Sequence, residues 1–168
     1  MKRILLAIDG MTADQKVFRY AVALCKRIRM ELNIFQIIPP ASFLAYKETI
    51  KKKGLMARKF MEGTMVAATY AEAGEPEIAL DIMERISKKS KRLLQASEKA
   101  GVHCHFSMKS GIPEKEIVDY VKNHRDVVLT IYDWTDTNVR KATGISGNKN
   151  VLTKIKNDLS VPLVTVQK

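Results

Sequence analysis

The feature that most constrains this chain is an uninterrupted apolar run near its start, Ile4-Leu5-Leu6-Ala7-Ile8, closed by Asp9-Gly10. A strand with one wet face alternates apolar and polar residues. A strand without alternation must be covered on both faces, as in a parallel sheet flanked by helices. The basic head Met1-Lys2-Arg3 mimics a secretory leader, but the apolar run is short and an acidic side chain ends it. Residues 3 to 9 therefore read as a buried strand rather than a leader.

The pattern that follows is β-α-β. Thr12 or Asp14 offers a side-chain cap for a helix. Val17, Tyr20, Ala21, Leu24 and Ile28 then share one helical face, with Lys16, Arg19, Lys26 and Arg27 off it. Residues 31 to 38 read as a second strand, stopped by Pro39-Pro40. Such a unit carries parallel strands and a right-handed crossover. Residues 41 to 74 read as a helical insertion broken near Gly54 and Gly63, with Lys51-Lys52-Lys53 as a solvated face and Met56, Met61 and Met65 filling gaps.

Pro76 suits the first turn of a helix over 77 to 100, striped by Ile78, Ile82, Ile86, Leu93 and Leu94 and ended by Gly101. Residues 102 to 108 alternate and predict a third strand. Gly111-Ile112-Pro113 turns the chain into a helix carrying Ile117, Tyr120 and Val121 and ending near His124. Residues 127 to 132 predict a fourth buried strand, followed by a polar loop from Asp133 to about Asn148. A short helix over 151 to 159, with Leu152 and Ile155 inward, and a strand over 161 to 167 complete the pattern. Strands alternating with helices give a single α/β domain over residues 1 to 168, with a mostly parallel five-stranded sheet and helices on both faces.

No apolar run approaches the roughly 20 residues that cross a bilayer, so no transmembrane segment and a cytoplasmic location are expected. Cys25 and Cys104 show no metal or redox spacing and are expected to be reduced, semi-buried thiols. The formal net charge of +11 favours an anionic partner without choosing among nucleotide, nucleic acid and acidic membrane surface. The basic residues lack interleaved aromatics and any known docking motif, so nucleic acid is not the expected partner.

Three segments together resemble the universal stress protein family. The first is Lys2 to Gly10 followed by a helix and Glu31-Leu32-Asn33-Ile34-Phe35-Gln36-Ile37-Ile38. The second runs from Gly101-Val102-His103 through a strand to Gly111-Ile112-Pro113-Glu114, similar to that family's strand, Gly-x-Pro and helix. The third is Val161-Pro162-Leu163-Val164-Thr165-Val166, similar to its closing strand. The resemblance implies an adenine nucleotide alpha hydrolase-like sheet of order 3-2-1-4-5, with ligands at the carboxyl ends of strands one and four. It implies a homodimer in which the strand at 161–167 pairs with its mate; an apolar edge left bare would be an aggregation hazard. It also implies a stress-linked regulatory module, with a regulatory protein or a transporter as partner.

Some members of that family bind ATP through Gly-x-x-Gly followed further on by Gly-Ser or Gly-Thr. Glycines let main-chain N–H groups approach phosphate oxygens at a helix N-terminus. This chain departs from the pattern: Ile131 and Trp134 stand where the first glycines belong, and Lys149-Asn150 where Gly-Ser belongs. Asp133 and Asp136 add negative charge beside any polyphosphate. No resident cofactor is therefore expected. The alternative is an ATP or AMP sensor with a rearranged phosphate loop at 144–149, in which Gly144, Ser146, Gly147 and Asn148 hold the phosphate and Ala7, Ile8, Asp9 and Ile37 line the base and sugar. The bland alternatives stay open beside it: a structural loop at Gly144 to Lys149, a turn carboxylate at Asp9, and core packing for Trp134, which otherwise stacks on a flat ligand.

His103 and His105 fall on one face of the third strand and Cys104 on the other; spacing places no carboxylate or third ligand near them, so no metal site is expected. His124 suits a helix C-terminus. Asp9, Asp133 and Asp136 could meet at the strand ends and hold Mg²⁺, but no nucleophile elbow, serine triad or P-loop accompanies them. The expected protein is not an enzyme.

Overall fold

The computed structural model describes residues 1–38, 76–134 and 148–166. Its elements are β1 (Arg3–Asp9), α1 (Gln15–Ile28), β2 (Glu31–Ile38), α2 (Pro76–Lys99), β3 (Cys104–Ser110), α3 (Pro113–Asn123), β4 (Val127–Trp134), α4 (Asn148–Asp158) and β5 (Leu163–Thr165). The strands form one sheet in the order β3-β2-β1-β4-β5. Every neighbouring pair is parallel.

The apolar run is the centre of this sheet. Ile4, Leu5, Leu6, Ala7 and Ile8 are all fully buried. The alternation of a strand sends them to two separate cores. Ile4, Leu6 and Ile8 pack with Val17, Ala21 and Cys25 of α1, and Leu93 and Leu94 of α2 lie against that cluster. Leu5 and Ala7 pack with Ile117 and Val121 of α3 and with Val151 and Ile155 of α4. Each fully buried aliphatic side chain stabilises the fold by about 2 kcal/mol relative to exposure, so β1 fixes the layer order.

Several boundaries move from their predicted positions. Asp14, rather than Thr12, caps α1, its Oδ1 accepting from the N–H groups of Lys16 at 2.8 Å and Val17 at 3.2 Å. The buried face of α1 is Val17, Phe18, Ala21, Val22 and Cys25, while Tyr20 and Ile28 are exposed. Both sets satisfy helical spacing, and contact with the sheet selected the one with smaller residues toward the strands. β3 begins at Cys104 because the ladder to β2 starts with Leu32 opposite Cys104. β5 covers Leu163–Thr165, without the expected Val161 and Pro162, and the expected end at 167 lies outside the described residues; Pro162 has no N–H to give, and its carbonyl accepts from Thr130 N–H at 2.9 Å. β4 extends to Trp134, so Asp133 and Trp134 belong to a strand and not to a loop.

Two glycines have physical reasons. Gly101 closes α2 at φ +78°, and its N–H reaches Glu98 O at 2.9 Å while Val102 N–H reaches Ser97 O at 3.0 Å. Gly111 lies against Glu116: a Cβ there would stand 2.5 Å from Glu116 Oε1. Pro113 follows as the first residue of α3. The expected insertion at 41–74 and the stop at Pro39-Pro40 lie outside the described residues. Among the described residues, no helix is long and apolar enough to cross a membrane.

Candidate functional site

The carboxyl ends of β1, β2 and β4 bring Asp9, Gln36, Ile37, Asp133 and Trp134 to one edge of the sheet. In register, Ile8 stands between Gln36 and Asp133, and Asp9 between Ile37 and Trp134. Partners across a parallel ladder share a face, and successive residues alternate. Asp9 therefore projects on the α3–α4 side and Asp133 on the α1 side. The expected cluster of Asp9 and Asp133 does not form, because the register places these neighbours in the chain pattern on opposite faces. Asp136 lies outside the described residues.

Both acids are buried, at 1% exposure for Asp9 and 2% for Asp133. Each is held from within the fold. Tyr132 donates its hydroxyl to Asp9 Oδ2 at 2.7 Å. Burial pushes the Tyr132 phenol well above its ordinary range, which favours the protonated, donating hydroxyl. Asp133 Oδ2 accepts the Asp14 N–H at 2.7 Å, which ties β4 to the start of α1. Gln36 Nε2 donates to Gly10 O at 2.7 Å and fixes the turn after β1. Trp134, half-buried, packs against the α3–α4 core with its ring 5.9 Å from that of Tyr132.

The remaining residues expected at a nucleotide site divide in two. Ala7, Ile8 and Ile37 are fully buried as core, Ala7 and Ile37 under α3 and α4 and Ile8 under α1. Asn148 is the first residue of α4, and Gly144, Ser146 and Gly147 lie outside the described residues. A cavity of about 570 Å³ lies elsewhere, between α1 and α2, lined in part by Phe18, Val22 and Leu93 and by Arg19, Lys26 and Arg92.

Cys25 and Cys104 are free and buried. Burial, with the neighbouring Cys104 second, pushes the Cys25 thiol up to about 12; burial pushes Cys104 up to about 11. Both stay protonated and inert, as thiols in apolar surroundings do.

The amino end of the sheet holds a group that sequence spacing did not reveal. Leu32 N–H bonds His103 O at 2.9 Å, and Asn33 pairs with His105. This register sets Glu31, the first residue of β2, beside both histidines. Their ligand atoms lie within 4.8 Å of one another, with His105 Nε2 3.6 Å from Glu31 Oε2 and the imidazole rings edge to face at 4.7 Å. The expectation that no carboxylate attends the histidine pair is thus corrected: the third group comes from a strand 72 positions earlier in the chain (103 − 31). Arg3 Nε meets the same Glu31 Oε2 at 3.0 Å, and Arg3 Nη1 meets Asp126 Oδ2 at 3.2 Å. The hydrogen bond from Arg3 holds the Glu31 carboxyl below the usual carboxylate range. His124 behaves as its position predicts, stacking on Tyr120 at 3.9 Å and bonding Tyr120 O through Nδ1 at 2.8 Å.

This architecture is shared with known proteins. The chain is similar in fold to the universal stress protein UspA from Lactobacillus plantarum, with a TM-score of 0.62 and 16% identity over 99% of this chain and 97% of that one. It is similar to the universal stress protein from Archaeoglobus fulgidus in complex with dAMP, with a TM-score of 0.56 and 11% identity over 99% and 98%. It is similar to an Arabidopsis thaliana universal stress protein family protein with AMP bound, with a TM-score of 0.54 and 12% identity over 100% and 92%. No curated protein sequence matches it significantly. The family model described as the universal stress protein family matches residues 1–129, which is more than half of the sequence. The chain belongs to the universal stress protein family.

Proposed function

We propose that this universal stress protein is a dimeric regulatory module of the cytoplasm that works through protein contacts, catalyses no reaction and does not grip ATP. The observation that carries this reading is the engagement of Asp9: it is 1% exposed and accepts the Tyr132 hydroxyl at 2.7 Å. Its neighbours Ala7, Ile8 and Ile37 are fully buried. A base or ribose entering there displaces core packing. Trp134, opposite Asp9 in the ladder, adds an indole where a phosphate-wrapping loop needs bare backbone. The groove between α1 and α2, with three cationic side chains beside apolar ones, suits an acidic amphipathic segment of a partner.

Calorimetry with ATP at millimolar concentration is expected to give no heat, and mass spectrometry of the purified protein no retained ATP or ADP. Retained ATP would defeat the reading. The dimer is tested at β5, an edge strand with Thr165 exposed. In an isologous pair, Thr165→Arg sets two like charges near the axis. Light scattering is expected to show a dimer for the parent and a monomer for the variant; a parent that is monomeric at tens of micromolar removes the dimer.

A second reading, an adenine nucleotide sensor using residues 144–149, is favoured by the dAMP and AMP complexes of its fold relatives. A monophosphate asks less of the phosphate loop than ATP does. Saturable heat with AMP and none with ATP would select this reading over the first.

A further inference from the structure

We propose that Glu31, His103 and His105 form a binding site for one divalent transition-metal ion of the Zn²⁺ type. The site sits at the amino end of β2 and β3, the end of the sheet opposite to Asp9 and Trp134, so it is independent of the nucleotide question. Two imidazoles and one carboxylate form a donor set that suits Zn²⁺ and its neighbours in the first transition row; Mg²⁺ and Ca²⁺ take oxygen ligands.

The backbone does the gathering. His103 and His105 are two residues apart on extended chain and so share a face, and the parallel register brings Glu31 to that face from β2. The three ligand atoms already lie within 4.8 Å of one another. Metal bonds of about 2.0–2.2 Å in a tetrahedral arrangement need them roughly 3.4 Å apart. The closing movement falls on two exposed imidazoles. Glu31 and His105 stand on strands of the sheet, and His103, just before β3, is tied to it by its carbonyl, which accepts the Leu32 N–H at 2.9 Å, so binding requires no folding of a loop.

Arg3 is the competitor. It meets Glu31 Oε2 at 3.0 Å, yet its guanidinium is shared with Asp126 at 3.2 Å. A dication approaching from solvent takes Glu31 while Arg3 keeps its second carboxylate. Three protein ligands leave a fourth position for water, the arrangement of an open rather than a closed zinc site.

The test uses untagged, chelator-stripped full-length protein titrated with ZnCl₂ in a calorimeter. One Zn²⁺ per chain is expected. Glu31→Gln, His103→Gln and His105→Gln are each expected to weaken it at least about tenfold, the loss that even an outer-shell partner brings. Circular dichroism checks that each variant is folded, and the histidine variants are at exposed positions where folding is retained. Co²⁺ is expected to give the visible bands of a low-coordinate site in the parent and none in the His103→Gln/His105→Gln double variant. No heat up to millimolar Zn²⁺, or equal affinity in parent and double variant, overturns the site. Unchanged affinity in Glu31→Gln overturns the three-ligand geometry.

Discussion

The two ends of the sheet treat their acidic residues in opposite ways. At the carboxyl end, Asp9 and Asp133 are buried and accept short hydrogen bonds from inside the fold, from Tyr132 hydroxyl and from Asp14 N–H. At the amino end, Glu31 is half-buried among Arg3, His103 and His105, all of which reach solvent. A buried polar group without a partner costs free energy, so the first arrangement is fixed by the fold and hard to exchange. Partly solvated partners are exchanged cheaply. Of these three acids, the two at the carboxyl end are sealed in the fold, and Glu31 at the amino end is the one that solvent reaches.

The comparison breaks first at Ile8. If the carboxyl end is core, Ile8→Ala removes a fully buried side chain and lowers stability by about 3 kcal/mol in chemical denaturation; a loss below about 1 kcal/mol would mean an accommodating pocket instead. Next is Tyr132→Phe, which takes the hydroxyl from Asp9 and is expected to lower stability by about 2 kcal/mol, the scale of a hydrogen bond to an acidic group. Asp14→Ala loses the N-cap of α1 and is expected to cost about 1 kcal/mol, with the Asp133 contact retained because it is made by the Asp14 main chain.

The smallest effect belongs to the amino end. Glu31→Gln is expected to shift the thermal midpoint less than Tyr132→Phe does. Its pH dependence has a definite sign. The folded-state Glu31 ionises below its unfolded value because of Arg3, so its contribution is present at neutral pH and is lost as pH falls through that depressed value. Parent and variant midpoints should therefore converge in acid, below the usual carboxylate range. A gap that widens in acid would contradict the Arg3–Glu31 pairing.

Much of this was legible in residue order. The unbroken run at Ile4 to Ile8 required a strand covered on both faces, and Pro76, Gly101 and Pro113 marked helix ends that the structure retains. What was illegible shared one cause. The α1 stripe could be drawn through Tyr20 and Ile28 or through Phe18 and Val22, since a helical period admits both and only the sheet surface decides. The end of β4 could not be placed, because Asp133 and Trp134 look like loop residues until Asp133 is seen holding α1 and Trp134 packing on Tyr132. The Glu31–histidine group could not be found by spacing, because cross-strand neighbours are set by register and not by distance along the chain.

The sequence by itself determined the element types, the parallel sheet and the family, because apolar periodicity and turn chemistry act over a few residues. Tertiary structure alone decided which acids are sealed and which are open. That choice depends on strand register, and in a sheet a one-residue shift sends every side chain to the other face.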